Sequence, residues 1–417
     1  MAQLTDDCFA FGGALMGVGE AEALLTARIA PLSGEERVPL GAALGRILAR
    51  DLMAPLPLPP FHNSAVDGYA FRHADLALAG ATTLTVVGRI AAGGSGAALP
   101  KGAAMRIFTG APMPPGADTV VMQEDAEASD ATVSVPAGLK PGANARPAGE
   151  DVALGSLALP AGRRIDAPAI GLVAALGLTH LDLAPRPRVG VFSTGDELAA
   201  PGAVLGAAQT HDSNRFTLLA MLAGLPVVAT DLGILPDDAA TTARALHEAA
   251  ATHDLLLTTG GVSTGEEDHV RAAIEAAGAL VFWRLAIKPG RPAAMGVIGG
   301  TPVMGLPGNP VAAVITFLHL ARPLILRLAG ATPRPLPRFA ATAGFAYRKK
   351  AGRREYVRVT LEDGPDGVPS AHKFPREGAG LLSSLTQSDA FAELPEGITA
   401  VGPGDRLRVL PFAALFG

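Results

Sequence analysis

The chain has 417 residues, of which 49% are hydrophobic and 18% are charged, so it can bury large cores and is expected to form about two to four domains. Its net charge of −5 and isoelectric point near 6.0 argue against a general nucleic-acid-binding protein, which would present a basic face. No apolar run approaches the roughly 18 to 20 residues needed to span a bilayer, so neither nucleic acid nor membrane is an expected partner.

The N-terminal segment is acidic and lacks the basic region that opens a secretory signal peptide. The only cysteine, Cys8, excludes an internal disulfide and any zinc site built on several cysteines. These features are typical of a cytoplasmic enzyme, and we expect that location.

The first part of the chain predicts a helical domain that is interrupted by a β-rich one. Apolar residues recur at helical spacing from 17 to 55 and again over 166–177. The proline-rich stretch APLPLPPF forces an extended connection, and short strand-like runs bounded by Gly and Pro follow it. We predict a discontinuous helical or linking domain over 1–55 and 147–186, and a β-rich domain over 56–146.

From 187 to 330, short apolar strands alternate with helical segments. Strands that are apolar throughout are typical of a parallel sheet covered by helices on both faces, so we predict a doubly wound α/β domain here. The tail, 331–417, holds short strands with Gly and Pro turns and predicts a small β-barrel. The predicted fold class is therefore multidomain, α/β and β.

Polar residues follow the predicted α/β strands at their carboxyl ends, where ligands bind in doubly wound sheets. The motifs are STGDEL, LPDD, TTGGVSTGEED, KPGRP and LPGNP. Taken alone, STGDEL, LPDD and LPGNP can each be an ordinary turn or helix cap, and Lys288 and Arg291 of KPGRP can be surface charges. Their common position at one rim favours a binding site instead. The motifs bring to this rim Ser193, Thr194, Gly195, Glu197, Asp237, Gly260, Gly261, Ser263, Asp268, Lys288, Arg291, Pro307, Gly308 and Asn309.

The motif TTGGVSTGEEDHV combines a glycine-rich loop of the phosphate-binding type with three consecutive carboxylates, Glu266, Glu267 and Asp268. Carboxylates and phosphates on one rim repel each other unless a cation lies between them, and Mg²⁺ prefers hard oxygen ligands. Lys288 and the loop amides would hold the remaining negative charge. We therefore expect a phosphorylated or pyrophosphate substrate, a divalent metal, and metal-assisted hydrolysis or transfer. The sequence has no P-loop motif and no closely spaced histidine pair, which argues against a P-loop NTPase and a histidine-based metal site.

The order of the motifs along the chain resembles that of one known family. The sequence contains, in this order, PPFHNSAVDGYAFR, RIFTGAPMPPGADTVVMQED, NARPAGED, STGDEL, DSNR, GILPDD, TTGGVSTGEEDHV, FWRLAIKPGRP and GLPGNP. Together they resemble the molybdopterin molybdenumtransferase family, to which bacterial MoeA and the E domain of gephyrin belong. The resemblance covers nearly the whole chain.

The resemblance implies a homodimer of elongated, four-domain subunits and a specific reaction. The substrates would be molybdate and adenylylated molybdopterin (molybdopterin-AMP). The pyrophosphate bond would be cleaved with the support of Mg²⁺, AMP released, and molybdenum left on the dithiolene. The resemblance further implies exchange with two kinds of partner, molybdopterin adenylyltransferase and molybdoenzyme chaperones.

Roles for individual residues also follow from the resemblance. It implies catalytic roles for Asp67, Thr109, Asp151, Glu197, Asp268 and Lys288. It implies metal ligation by Glu197, Asp237 and Asp268. It implies substrate binding by Arg146, Ser193, Thr194, Gly195, Asp237, Gly260, Gly261, Ser263, Arg284, Arg291, Pro307, Gly308 and Asn309. In the family the site lies between subunits, so Asp67, Thr109 and Asp151 would meet Asp268 and Lys288 across a dimer.

The sequence departs from the family pattern at a few positions. His62 stands where relatives often carry aspartate, Arg284 and Arg291 replace common lysines, and Ala379 replaces a common serine. Arginine keeps the positive charge but presents it as a planar fork. Two alternatives stay open: a nucleotide-pyrophosphate hydrolase with the same α/β domain, and a non-catalytic scaffold in the style of gephyrin. The β-rich domain and the β tail argue against the first, and the second would require a groove for a partner.

Overall fold

The fold is that of a computed structural model, which describes residues 15–262, 269–277, 280–282, 285–364 and 367–416. Ser263, Asp268 and Arg284, all candidate site residues, lie outside the described residues. The helices in these ranges are α1 (Val18–Arg28), α2 (Ala167–Ala175), α3 (Asn214–Ala223), α4 (Ala239–Ala250), α5 (His269–Ala276), α6 (Pro310–Thr316), α7 (Arg322–Leu328), α8 (Ser383–Thr386) and α9 (Phe412–Phe416).

The segments before and after the β-rich region pair with each other. Two antiparallel pairs join them, Glu36–Pro39 with His180–Leu183 and Leu52–Met53 with Leu157–Leu159. The prediction of helix up to residue 55 was wrong beyond α1, because the segment that follows forms only a 3₁₀ turn at Leu40–Ala42. Gly45, at a φ of 78°, and the bridge from Leu48 to Leu183 hold this segment in a non-helical path.

Six strands of the β-rich region form one sheet. Their order is Thr119–Met122, Gly68–Phe71, Ala103–Ile107, Thr82–Ile90, Thr132–Val135 and Glu127–Ala128. A Cβ at Gly68 would lie 1.9 Å from the Val121 carbonyl oxygen, so only glycine fits after Asp67. Because Gly68 pairs with Ile107, Asp67 and Thr109 reach the same edge of the sheet.

A second six-stranded sheet forms the α/β region. Its order is Val228–Leu235, Arg188–Thr194, Leu255–Thr259, Thr301–Leu306, Ala294–Ile298 and Leu280–Phe282. The first four strands are parallel, with α1, α3, α6 and α7 on one face and α4 and α5 on the other, which confirms the doubly wound prediction. The last two strands run antiparallel to their neighbours, so the prediction of an all-parallel sheet was wrong at this edge. Gly299 and Gly300, both at positive φ, form the tight turn that reverses the chain.

Five strands of the C-terminal region close into a barrel, as predicted. They are Phe339–Ala343, Ser370–Lys373, Arg354–Glu362, Ala390–Leu394 and Arg406–Pro411. A short strand from the α/β region, Ile287–Lys288, pairs in parallel with Arg354 and Glu355 of the barrel. The prediction that Lys288 follows a parallel strand of the α/β sheet was therefore wrong, because the barrel positions this residue.

The stretch Pro310–Leu328, made of α6, a π-helical turn and α7, is a long apolar helix of the core. It has 19 residues and a mean hydropathy of 1.7, enough by length and composition to cross a membrane. The prediction that no apolar run approaches this length was therefore wrong. Because 78% of it is buried inside the protein, it serves as a core helix, in contact with α1.

Candidate active site

A cavity of 320 Å³ lies where the α/β region meets the barrel, and we call it the basic cavity. It brings together four of the predicted site residues, Lys288, Arg291, Pro307 and Asn309. The other residues of its wall are Pro289, Gly290, Pro292, Ala312, Tyr347, Glu355, Tyr356, Val357, Arg358, Lys373, Phe374, Arg376, Glu377, Gly378 and Ala379.

Lys288 is held by two groups of the barrel. Its Nζ donates a hydrogen bond to the Tyr347 hydroxyl at 3.0 Å and lies 3.2 Å from the Glu355 carboxylate. The Tyr347 hydroxyl in turn donates to Glu355 at 2.8 Å, and Arg353 donates to the other carboxylate oxygen at 2.7 Å. Glu355 is 1% exposed, so Lys288 is anchored to a buried, fully hydrogen-bonded carboxylate.

The charge on Lys288 is secured by these partners. Burial acts to lower the pKa of Lys288, but its interactions with Tyr347 and Glu355 outweigh burial and leave that pKa raised. Burial likewise opposes the charge of Glu355, yet its hydrogen bonds to Tyr347, Arg353 and Lys288 hold the pKa of the carboxyl below its ordinary value. Both groups therefore stay ionised at neutral pH.

The cavity wall carries more positive than negative charge. Five basic side chains, those of Lys288, Arg291, Arg358, Lys373 and Arg376, face two carboxylates, Glu355 and Glu377. Both carboxylates are already engaged, since Glu377 accepts a hydrogen bond from Lys373 at 2.7 Å and Glu355 is paired as described. The surplus of basic groups fits an anion with several oxygens.

The barrel contributes residues that the sequence analysis did not identify, namely Tyr347, Arg358, Lys373 and Arg376. Arg358 is buried and donates to the Ser384 hydroxyl and to the Gly378 carbonyl, each at 3.1 Å. Charged residues inside an apolar strand, as in REYVRVTL, were a signal that could have been noticed. Ala379, identified as a departure from the family, also lines the cavity, and its carbonyl accepts a hydrogen bond from Val311 at 2.9 Å.

Three loops at the carboxyl ends of neighbouring parallel strands are tied together next to this cavity. Asn214 donates to the Thr259 hydroxyl at 2.9 Å and to the Gly308 carbonyl at 2.7 Å. The amide of Gly260 donates to Leu306 at 3.0 Å. Gly260 has a φ of 96°, and a Cβ there would lie 2.7 Å from the Thr194 carbonyl oxygen. The structure thus brings the predicted loops at Thr194, Gly260 and Gly308 together.

Three buried hydroxyl groups on or next to these loops lack a hydrogen-bond partner within the described part of the chain. The side-chain oxygens of Ser193, Thr194 and Thr258 are buried and have no hydrogen-bond partner among the residues that the structure describes. A buried hydroxyl without a partner is costly unless a ligand or water satisfies it. Two of these residues, Ser193 and Thr194, are among the predicted substrate-binding residues.

Two of the three predicted metal ligands, Glu197 and Asp237, lie on the outer part of the same rim. Asp196 and Asp237 form a reciprocal pair of hydrogen bonds, in which each carboxylate accepts from the backbone amide of the other residue at 3.1 Å. The Glu197 carboxylate folds back over Gly195, where an added Cβ would meet its oxygen at 2.1 Å. Within the described ranges, no group of three or more His, Cys, Asp or Glu residues is close enough to hold a metal. The third predicted ligand, Asp268, falls outside those ranges.

Asp67 and Thr109 form a separate acidic site on the β-rich sheet. The amide and the hydroxyl of Thr109 both donate to the same oxygen of Asp67, at 2.8 and 2.7 Å. These bonds, the backbone one above all, lower the pKa of Asp67, so the exposed carboxylate is ionised at neutral pH. In the described parts of the chain, no hydrogen bond or ion pair joins this pair to the basic cavity.

Arg146 and Asp151 lie on the segment that leaves the same sheet. Arg146 pairs with Asn63 in a short antiparallel bridge, and both Arg146 and Asp151 are exposed. The amide of Asp151 donates to the Leu58 carbonyl at 3.0 Å. Neither side chain bonds to Asp67, so the structure places these predicted residues in one region without assembling them into a single cluster.

The fold is that of a multidomain protein with a doubly wound α/β region and a C-terminal barrel. Three family models match successive parts of the chain: the MoeA N-terminal region (domains I and II) over 16–177, a probable molybdopterin-binding domain over 190–327, and the MoeA C-terminal region (domain IV) over 340–412.

Similar proteins extend this result over nearly the full length. The molybdopterin molybdenumtransferase of Haemophilus influenzae is 38% identical over 385 residues, covering 92% of this chain and 95% of that protein. Molybdopterin molybdenumtransferase 2 of Mycobacterium tuberculosis is 37% identical over 392 residues, covering 89% and 94%. A MoeA crystal structure from Pyrococcus horikoshii has a TM-score of 0.83 at 28% identity, covering 96% of this chain and 100% of that one.

The chain belongs to the MoeA family, which confirms the resemblance predicted from its motifs. It is a transferase of molybdenum cofactor biosynthesis, as the sequence predicted.

Proposed function

We propose that this enzyme inserts molybdenum from molybdate into adenylylated molybdopterin, with cleavage of the pyrophosphate bond and release of AMP. The observation that carries the proposal is the basic cavity, whose surplus of positive charge meets the glycine-rich loops of a predicted phosphate site. An oxyanion and a phosphorylated pterin would thus bind side by side.

Molybdate is assigned to the basic cavity. A tetrahedral dianion suits a wall that offers the Lys288 ammonium and the guanidinium of Arg291 as donors. Arg358 uses part of its donor set on Ser384 and Gly378 and so fixes the wall itself. Relatives often carry serine at the position of Ala379. Alanine offers no hydroxyl donor, so the binding of molybdate would depend more on the charged side chains.

The phosphate groups of the pterin substrate are assigned to the loops at Thr194, Gly260 and Gly308. Glycines at positive φ let backbone amides approach an anion closely, and the buried hydroxyls of Ser193 and Thr194 have unused hydrogen-bonding capacity. Glu197, Asp237 and Asp268 are proposed to hold Mg²⁺, because carboxylate oxygens are the donors that this ion takes. When bound, the ion would neutralise phosphoryl charge next to these loops.

Asp67 and Thr109 are proposed to complete the site from a second subunit. The lowered pKa of Asp67 makes it an anion, suited to accept a proton or to orient a ligand. Within one chain its hydrogen bonds end at Thr109, and the described residues link it to no group of the basic cavity. In a homodimer, the Asp67–Thr109 pair of one subunit would face the basic cavity of the other. Arg146 and Asp151 would lie at the edge of this shared site.

The deciding experiment measures AMP release from adenylylated molybdopterin with Mg²⁺, in the presence and absence of molybdate. Molybdate-dependent release with formation of active cofactor is expected. Release that is indifferent to molybdate would instead identify a pyrophosphate hydrolase. No release at all would leave the protein a binding scaffold and overturn the proposed reaction.

Removal of the Tyr347 hydroxyl is expected to weaken molybdate binding about tenfold. A hydrogen bond to a charged group contributes about 1.5–3 kcal/mol, and Tyr347→Phe would free the Lys288 ammonium from one of its two anchors. Calorimetric titration with molybdate measures the effect. Tyr69→Phe is the matched control, because this ring packs on Arg106 in the β-rich sheet, away from the basic cavity. Equal molybdate affinity in Tyr347→Phe and wild type would show that Glu355 alone positions Lys288.

A further inference from the structure

A second cavity, of 270 Å³, lies beside α7 and the segment 331–338 that leads into the barrel. We call it the linker cavity. Four arginines line it, Arg322, Arg327, Arg334 and Arg338, and a single carboxylate, Glu22, faces them among the lining residues. None of these residues belongs to the basic cavity.

Two of the four arginines already have a hydrogen-bond partner within the protein. Arg338 is paired with Glu393 through hydrogen bonds of 2.6 and 3.1 Å, and Arg327 donates to the Ile29 carbonyl at 2.8 Å. Glu22, the one carboxylate among the described lining residues, lies 3.1 Å from the ring of buried His319 through one of its oxygens, so four arginines share a single lining carboxylate. The linker cavity therefore keeps unbalanced positive charge.

Arg322 is the arginine of this cavity whose surroundings best suit the binding of an anion. It is half-buried, and in the described part of the chain it makes no hydrogen bond or ion pair. Burial, together with repulsion from nearby Arg164, lowers the pKa of its guanidinium, and no carboxylate offsets these effects. None of its nitrogens is among the buried atoms without a partner, so the guanidinium remains within reach of an anion from solution. Exposed Arg334, which is also unpaired within the described residues, lines the same cavity.

We propose that the linker cavity binds a small organic phosphate, whose phosphate group contacts Arg322 and Arg334. Guanidinium groups suit this role because their planar donor pairs match phosphate oxygens. The rest of the wall is apolar and includes Leu326, Pro335 and Leu336, so it would take a hydrophobic substituent of the ligand. The volume exceeds what a bare phosphate ion fills, which favours an ester over the inorganic ion.

The linker cavity is close to the basic cavity but distinct from it. The His319 ring bonds to Glu22 on one side and lies 4.8 Å, between ring centroids, from Tyr356, which lines the basic cavity. Because the basic cavity also attracts oxyanions, the test uses Lys288→Met as background to weaken binding there, and the further loss caused by Arg322→Met measures binding in the linker cavity. This design makes the proposal independent of whether molybdate is the ligand of the basic cavity.

The test is calorimetric titration with phenyl phosphate and, separately, with inorganic phosphate. In the Lys288→Met background we expect phenyl phosphate to bind more tightly than inorganic phosphate. Adding Arg322→Met should lower the affinity for phenyl phosphate at least about tenfold. Arg322→Lys should restore part of the affinity. Arg244→Met is the matched control, because this exposed arginine lies on α4, on the opposite face of the sheet.

The midpoint of thermal unfolding, Tm, gives a second measurement of binding that is independent of calorimetric titration. Without ligand, Arg322→Met should raise Tm, because an unpaired, half-buried charge is lost. Phenyl phosphate should raise Tm in the Lys288→Met background, and the rise should be clearly smaller when Arg322→Met is added. Equal phenyl phosphate affinity with and without Arg322→Met, or no binding in the Lys288→Met background, would overturn the proposal.

Discussion

Replacement of Lys288 by methionine is expected to reduce molybdate-dependent AMP release about 10²- to 10³-fold, the usual cost of removing one preorganised electrostatic donor. The fold should persist, because Glu355 keeps its hydrogen bonds from Tyr347 and Arg353 when the ammonium is removed. Molybdate affinity should fall together with turnover. Rates measured at saturating and at low molybdate separate the two effects.

Lys140→Met is the control for this variant, since Lys140 is exposed in a turn of the β-rich region. Lys288→Arg should retain part of the activity, because the charge stays while the planar fork changes how it is presented. If Lys288→Met kept the wild-type dependence on molybdate, Lys288 would not be the molybdate cation, and the assignment of the basic cavity would fail.

The pH dependence of this interaction has a definite sign. Because the folded-state pKa of Lys288 is raised, its pairing with Glu355 is fully present below the ordinary lysine pKa. The pairing is lost only as the pH rises through the higher, folded-state value. Titration of Lys288 should therefore cause no decline in molybdate affinity between about pH 7 and 9.

The rim of the α/β sheet could be predicted from sequence because strand ends follow a local pattern. Apolar runs such as Leu255–Leu257 end at glycines, and parallel strands bring their carboxyl ends to one edge. The loops at Thr194, Gly260 and Gly308 are tied together as this rule requires. The part that Asn214 plays in joining them was missed, because DSNR resembles an ordinary helix start.

The barrel side of the site depends on pairing between distant segments. Lys288 meets Glu355 only because Ile287–Lys288 joins a barrel strand, and nothing local in KPGRP specifies that partner. The prediction of helix between α1 and residue 55 was wrong for a related reason. The apolar residues of this segment are also compatible with extended chain, and the distant partner Leu183 decided between the two.

Replacement of Asp67 by asparagine should lower turnover by about 10²- to 10⁴-fold, the range for a group that moves or orients a proton. Asparagine keeps an oxygen that can accept both hydrogen bonds from Thr109, so the loop should hold its shape while the charge is lost. Molybdate affinity should not fall, because the substitution removes a negative charge from the proposed shared site. Asp130→Asn, in an exposed turn of the same sheet, is the control.

The same residue tests whether the site is shared between subunits. Asp67→Ala and Lys288→Met chains are each expected to be nearly inactive alone. Heterodimers made from them would hold one site with both residues intact, so a fully exchanged mixture should recover roughly a quarter of wild-type turnover. Recovery requires that Asp67 of one subunit serves Lys288 of the other. If the exchanged mixture were as inactive as the two variants alone, both residues would belong to a site within one chain. The surfaces at Thr109 and at the basic cavity would then have to come together by movement within the subunit.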